Sequence, residues 1–140
     1  MRTLEESDAI PKLDRGPSLE GADANGNGVR DDVDHFIERN YPSRPQQTAA
    51  RQLAANLQET LTVDKQDRVA LRAVSIAGIR AVHCVYLRFV GSNDGKRAGA
   101  VVYELEAITA NTRARLKAYL AYNKAMDGTA SSLPEEDTCD

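Results

Sequence analysis

From Pro45 to Met126 the apolar residues return every three or four positions through three long segments, and no stretch alternates convincingly with a period of two. That spacing restricts the chain to an all-α architecture. The first segment, about Pro45 to Leu61, carries a stripe of Ala49, Leu53, Leu57 and Leu61 flanked by the small residues Ala50 and Ala54, with Ser43 placed to cap it and Pro45 in its first turn. The second, about Lys65 to Val90, is the most apolar. Val69, Leu71, Val74, Ile76, Ile79, Val82, Val85, Tyr86 and Phe89 spread over more than one face, so it is expected to be the central helix, with Arg72, Arg80 and Arg88 on its wetter side. Gly91-Ser92-Asn93-Asp94-Gly95 reads as a turn. The third segment, about Lys96 to Met126, places Val101, Leu105, Ile108, Thr112, Leu116, Tyr119, Leu120 and Asn123 at helical spacing and is stopped by Gly128. A shorter helix, about Asp31 to Asn40, presents Val33, Phe36 and Ile37 and ends before Pro42. The expected fold is a small helical bundle of about four helices with antiparallel neighbours.

At 140 residues the chain fits one domain with a substantial core. Its basic residues are scattered and the net charge is -3, which argues against a nucleic-acid footprint. No apolar run approaches the roughly 20 residues needed to cross a bilayer. Residues 1–21 read as an extended lead-in, punctuated by Pro11, Gly16, Pro17 and Gly21, without the apolar core of an export signal. Any such signal is expected to lie outside this chain. Residues 22–140 form the domain proper.

One stretch, Asp23 to Asp34, specifies chemistry. Oxygen-bearing side chains recur at Asp23, Asn25 and Asn27, Gly28 permits a sharp turn, and Asp31 and Asp34 follow at intervals of three. Calcium takes roughly 6–8 oxygens from carboxylates, amides, carbonyls and water. The expected ligands are the side chains of Asp23, Asn25, Asn27 and Asp34, the carbonyl of Val29, and Asp31 acting through water. The pattern follows the EF-hand loop rule at its first, third, fifth and sixth positions but closes with Asp instead of Glu, and no helix enters the loop. Asn-Gly-Asn-Gly also suits an ordinary turn, and Asp31, Asp32 and Asp34 suit any helix N-terminus. Five oxygen positions in register with a glycine favour the cation.

Cys84 falls in a helical segment and Cys139 in the polar tail. A disulfide between them would pin the tail to the helical body, and closing such a loop stabilises by roughly 4 kcal/mol in the chain-entropy model. The alternative is a buried thiol at Cys84 and a free one at Cys139. A disulfide and a weak calcium site both suit an extracytoplasmic compartment, periplasm or cell surface.

Other groupings are weaker. His35 beside Asp32 suggests a hydrolase only faintly, since neither a nucleophile elbow nor an H-E-x-x-H motif is present. His83 next to Cys84 lacks two further ligands for zinc and reads as a core-edge histidine. Glu104 and Glu106, two apart on a helix, do not face each other. Tyr103, Tyr119 and Tyr122 either line a groove or occupy packing edges. Arg113, Arg115 and Lys117 read as a solvated face.

The Asp23–Asp34 pattern resembles the calcium loops of thrombospondin type 3 repeats and of dockerins, although neither the duplicated loop-and-helix of a dockerin nor serial repeats are present. More of the chain, through Asn25-Gly-Asn-Gly-Val-Arg-Asp-Asp-Val33, Asn111-Thr-Arg-Ala-Arg-Leu116 and Leu133-Pro-Glu-Glu-Asp-Thr-Cys139, resembles a group of bacterial cell-envelope proteins, many with lipoprotein-type signals. That likeness implies export, a tail cysteine and, for some members, a lipid anchor, and carries no established activity. The resulting expectation is a non-enzymatic binding or scaffolding module with one structural calcium ion and a cell-envelope protein partner. A calcium-responsive regulator is the alternative, and a hydrolase the remote one.

Overall fold

The computed structural model describes residues 12–90, 97–129 and 134–140. The turn expected at Gly91–Gly95, residues 1–11 of the lead-in and Ser131–Leu133 of the tail lie outside them. Among the described residues there are five helices and no strand: α1 (Asp31–Asn40), α2 (Arg44–Thr62), α3 (Arg68–Arg88), α4 (Ala98–Thr109) and α5 (Arg113–Ala125).

Helix starts follow local chemistry. Ser43 caps α2 by accepting from the Gln46 N–H, and Asp67 caps α3 by accepting from the Val69 and Ala70 N–H groups. The segment expected as one helix from Lys96 to Met126 is instead two. Thr112 sits in extended backbone and accepts from the Arg115 N–H, so it caps α5 and does not join an apolar face. A Thr at an N-cap satisfies one of the first turn's orphan amides, which offsets the loss of helix continuity.

The centre of the molecule is α2, which packs against all four other helices. Its buried face is wide, from Gln46 and Ala49 through Leu53, Ala54, Asn56 and Leu57 to Leu61. The expectation that the Lys65–Val90 helix is central is corrected. Only a narrow strip of α3, Leu71, Val74, Ala81, Cys84 and Val85, is buried, while Val69 is 81% exposed and Ile76 48%. Small alanines let α2 receive neighbours on several sides, and that counts for more than raw hydrophobicity. By length and apolar composition alone α3 is sufficient to cross a membrane, contrary to the sequence expectation; its buried strip packs on α2 and α4.

Phe36, Tyr41 and Phe89 meet edge to face, with ring centroids 5.9 and 5.3 Å apart, and close the end of the core. Two non-helical straps cover the bundle. The C-terminal strap is fixed by Cys84–Cys139, whose sulfurs lie at bonding distance, 2.08 Å. Thr138, fully buried, donates to the Arg80 carbonyl at 2.7 Å, and its hydroxyl lies 3.1 Å from His83 Nδ1. Gln52 brackets the strap, donating to the Thr138 carbonyl and accepting from the Asp140 N–H, both at 3.0 Å.

Candidate metal centre

The N-terminal strap leads directly into the Asp23–Asp34 loop, and its anchorage sets where the loop sits. Arg115 is fully buried and donates to the carbonyls of Asp14, Ser18 and Leu19 and to Asn111 Oδ1. Arg30, 1% exposed, pairs with both carboxylate oxygens of Asp32 and donates to the Ile108 and Thr109 carbonyls, the open C-terminal end of α4. Arg115 Nη2 also lies 3.6 Å from Asp14 Oδ1, and the two ion pairs join where the Asp14 N–H donates to Asp32 Oδ2 at 2.9 Å. Two guanidiniums and two carboxylates thus balance one another under the strap. Burial and the nearby Arg30 lower the Arg115 pKa, while Asp14 and Asp32 oppose this. The expectation that Arg115 belongs to a solvated face is therefore corrected; Arg113 and Lys117 are exposed as expected.

Asp14 also accepts from the Ala22 N–H at 3.0 Å, and the Ala22 carbonyl accepts from the Asp31 N–H at 2.8 Å, closing the base of the loop. Where the strap passes Arg30, Gly21 has φ +68°, and an added Cβ there would lie 2.4 Å from Arg30 Cδ. Only glycine combines that backbone with that proximity.

Inside the loop, Asp23 Oδ1 and Asn25 Oδ1 both accept from the Asn27 N–H at 3.2 Å, and Asp23 Oδ2 accepts from the Gly28 N–H at 2.9 Å. Asn27 Oδ1 accepts from the Val29 N–H at 2.9 Å, while its Nδ2 donates to Asp34 Oδ2 at 2.6 Å. Gly26 and Gly28 adopt φ +67° and +81°, and the left-handed backbone folds the loop over these oxygens. The structure thus turns Asp23 and Asn25 onto one pair of amides, gives the Asn27 oxygen to the Val29 amide, and sets Asp34 against Asn27 Nδ2. Val29 anchors the loop through its buried side chain. Asp31 stands apart at the loop base, both oxygens accepting from the Ala24 N–H at 3.1 Å.

The fit to a cation is partial. Arg51 of α2 donates to Asp34 Oδ1 at 2.8 Å, leaving Asp34 Oδ2 as the oxygen facing the loop. Among the described residues no three His, Cys, Asp or Glu side chains form a group that could hold a metal ion. Arg51 was not anticipated. The signal was faint, because the partner of Asp34 lies 17 residues away on another helix.

The weaker groupings also resolve. Asp32 is held by Arg30 and Asp14, and His35 is exposed, so the pairing on which a hydrolase reading relied is not formed. Of the three tyrosines, Tyr119 and Tyr122 line a cleft with Glu106, whereas Tyr103 is 74% exposed. Glu104 faces Tyr41, whose hydroxyl lies 3.5 Å from it. Comparison with known protein families, curated proteins and solved structures gives no match.

Proposed function

We propose that this chain is a calcium-stabilised helical module of an extracytoplasmic compartment, acting as a binding or scaffolding domain for a cell-envelope protein. The observation that carries this reading is the inward turn of the loop: Asp23 and Asn25 oxygens accept from the Asn27 and Gly28 amides, the Asn27 oxygen accepts from the Val29 amide, and Asp34 lies against Asn27 Nδ2. Those four side chains, the Val29 carbonyl and a water on Asp31 would supply a calcium shell of ordinary composition. The ion would neutralise a loop that the core holds chiefly through Val29 and the strap. The Cys84–Cys139 pair supports the compartment, since structural disulfides persist outside the reducing cytosol.

Calorimetric titration of calcium into chelator-treated protein, with magnesium as control, tests the reading. One calcium-selective site, abolished by Asp23→Ala, is the expected result; no heat with either ion would sink it. Hydrogen exchange then locates the effect, with Asp23→Ala loosening residues 12–34 and sparing α2–α5. A calcium-responsive regulator remains the alternative reading, because the loop is continuous with the strap through Ala22. Partner binding that ignores calcium eliminates that alternative and leaves the scaffolding role.

A further inference from the structure

Helix α5 packs chiefly on α2, not on α3, and the two outer helices leave a cleft between them. Its volume is about 280 Å³. Leu53 and Leu57 of α2 and Ile79 and Val82 of α3 give it apolar surface, while Tyr119 and Tyr122 contribute from α5. One carboxyl side chain lines it, that of Glu106 on α4. Among the described residues that carboxylate has no ion-pair or hydrogen-bond partner, and burial alone pushes its pKa up, without a cation nearby to offset it. A half-buried carboxylate with no counter-charge is an uncommon arrangement in a packed helical interior.

We propose that this cleft binds a small organic cation, an alkylammonium, with Glu106 as counter-charge and the Tyr119 and Tyr122 rings beside it. Three features select that class. The carboxylate repels anions and gains by pairing with a cation in a partly desolvated site. The tyrosine rings offer π faces to an ammonium, and the aliphatic wall suits its alkyl substituents. The volume lies just below that of ordinary small-molecule pockets, so the ligand is a compact ammonium or the ammonium end of something longer. The phenol of Tyr119 is pushed up to about 12 by burial first and by Glu106 second, so it stays neutral and does not compete for the cation's role. Exposed Arg68 and Arg72 line the adjacent depression, which shares Ser75 and Ile79 with the cleft, so negative groups are drawn there and away from Glu106. This inference does not depend on the calcium loop.

The test is a titration of the isotope-labelled protein with tert-butylammonium, followed by backbone amide shifts, with tert-butanol as the neutral isostere of nearly equal shape. Saturable shifts confined to residues around Val82, Glu106, Tyr119 and Tyr122 are expected with the ammonium. Glu106→Gln should weaken binding by about tenfold or more. That variant should melt no lower than the parent, because it removes a desolvated charge. Equal binding of tert-butanol, unchanged affinity in Glu106→Gln, or no saturation at tens of millimolar ammonium would each overturn the proposal. Tyr119→Leu, which keeps the apolar wall and removes the ring, separates the aromatic contribution: weakened ammonium binding supports it, and unaltered binding removes the ring from the site.

Discussion

Arg115 and Arg113 sit two positions apart on α5, and their fates differ completely. Arg113 is exposed, whereas Arg115 is wrapped by the carbonyls of a strap about 100 residues earlier in the chain. Removing a buried guanidinium leaves Asp14 and several carbonyls without their donor. Arg115→Ala is therefore expected to lose about 3 kcal/mol in urea unfolding, while Arg113→Ala stays within about 0.5 kcal/mol of the parent. Helical spacing places both residues off the apolar stripe and cannot tell them apart, because the strap that covers one is set by long-range packing. Asp14 adds a pH dependence. N–H donation from Ala22, then from Gly16, holds its folded pKa below the ordinary 3.8. A depressed carboxyl pKa contributes stability that is complete above the unfolded value and is lost as pH falls through the folded one. Asp14→Asn should thus flatten the acid limb of stability below about pH 4, and an unchanged limb in acid titrations of melting temperature would assign that limb to other carboxylates.

At the scale of elements, legibility tracked how local the deciding interaction is. The bounds of α1 and α2 were readable from Pro42, Ser43 and Pro45, whose effects act within one turn. The α4–α5 break was not, since Thr112 caps a helix while falling at apolar spacing, and Arg30 satisfies the end of α4 from the far side of the sequence. The tail was legible for a different reason: a cysteine next to the end of a polar segment has few uses apart from pairing. Its strap makes few apolar contacts and relies on Thr138, Gln52 and the disulfide. Cys139→Ser is expected to cost about 2–4 kcal/mol. Amide exchange of residues 134–140 should become fast while α2 remains protected. Retained protection of Thr138 would mean that the hydrogen bonds suffice.

For the whole molecule, the all-α class follows from periodicity, but the choice of centre does not. Hydrophobic content nominated α3, and the structure assigns α2, because alanine and a few buried polar groups such as Asn56 let four neighbours approach one helix. Asn56 Nδ2 donates to the Val74 carbonyl at 2.9 Å, and its Oδ1 lies 2.9 Å from where a Gly78 Cβ would stand, so the α2–α3 crossing depends on a missing side chain. Ahead of α1, the loop from Asp23 to Arg30 contributes one apolar side chain, Val29, to that core. If the loop holds calcium as proposed, removing the ion is expected to leave far-ultraviolet dichroism unchanged and to lower the melting temperature by roughly 5–10 °C from a hundredfold excess over Kd, where binding contributes about 2.7 kcal/mol. Collapse of the helical signal on chelation would mean that the loop is part of the folding core.

The covalent link from Cys84 to Cys139 also alters how the molecule carries load. Tension applied at the two ends would leave the C-terminal strap at Cys139 and pass straight into α3 at Cys84. Everything between those sulfurs, including the end of α3, α4 and α5, lies in a closed ring of 55 residue steps that the force never threads. In single-molecule pulling the unfolding extension should fall short of the full chain by roughly 190 Å, at about 3.5 Å per residue, and recover it when reductant is added. The cleft is therefore divided by load: Glu106, Tyr119 and Tyr122 lie in the mechanically silent ring, whereas its walls from α2 and from α3 up to Val82 lie on the loaded path.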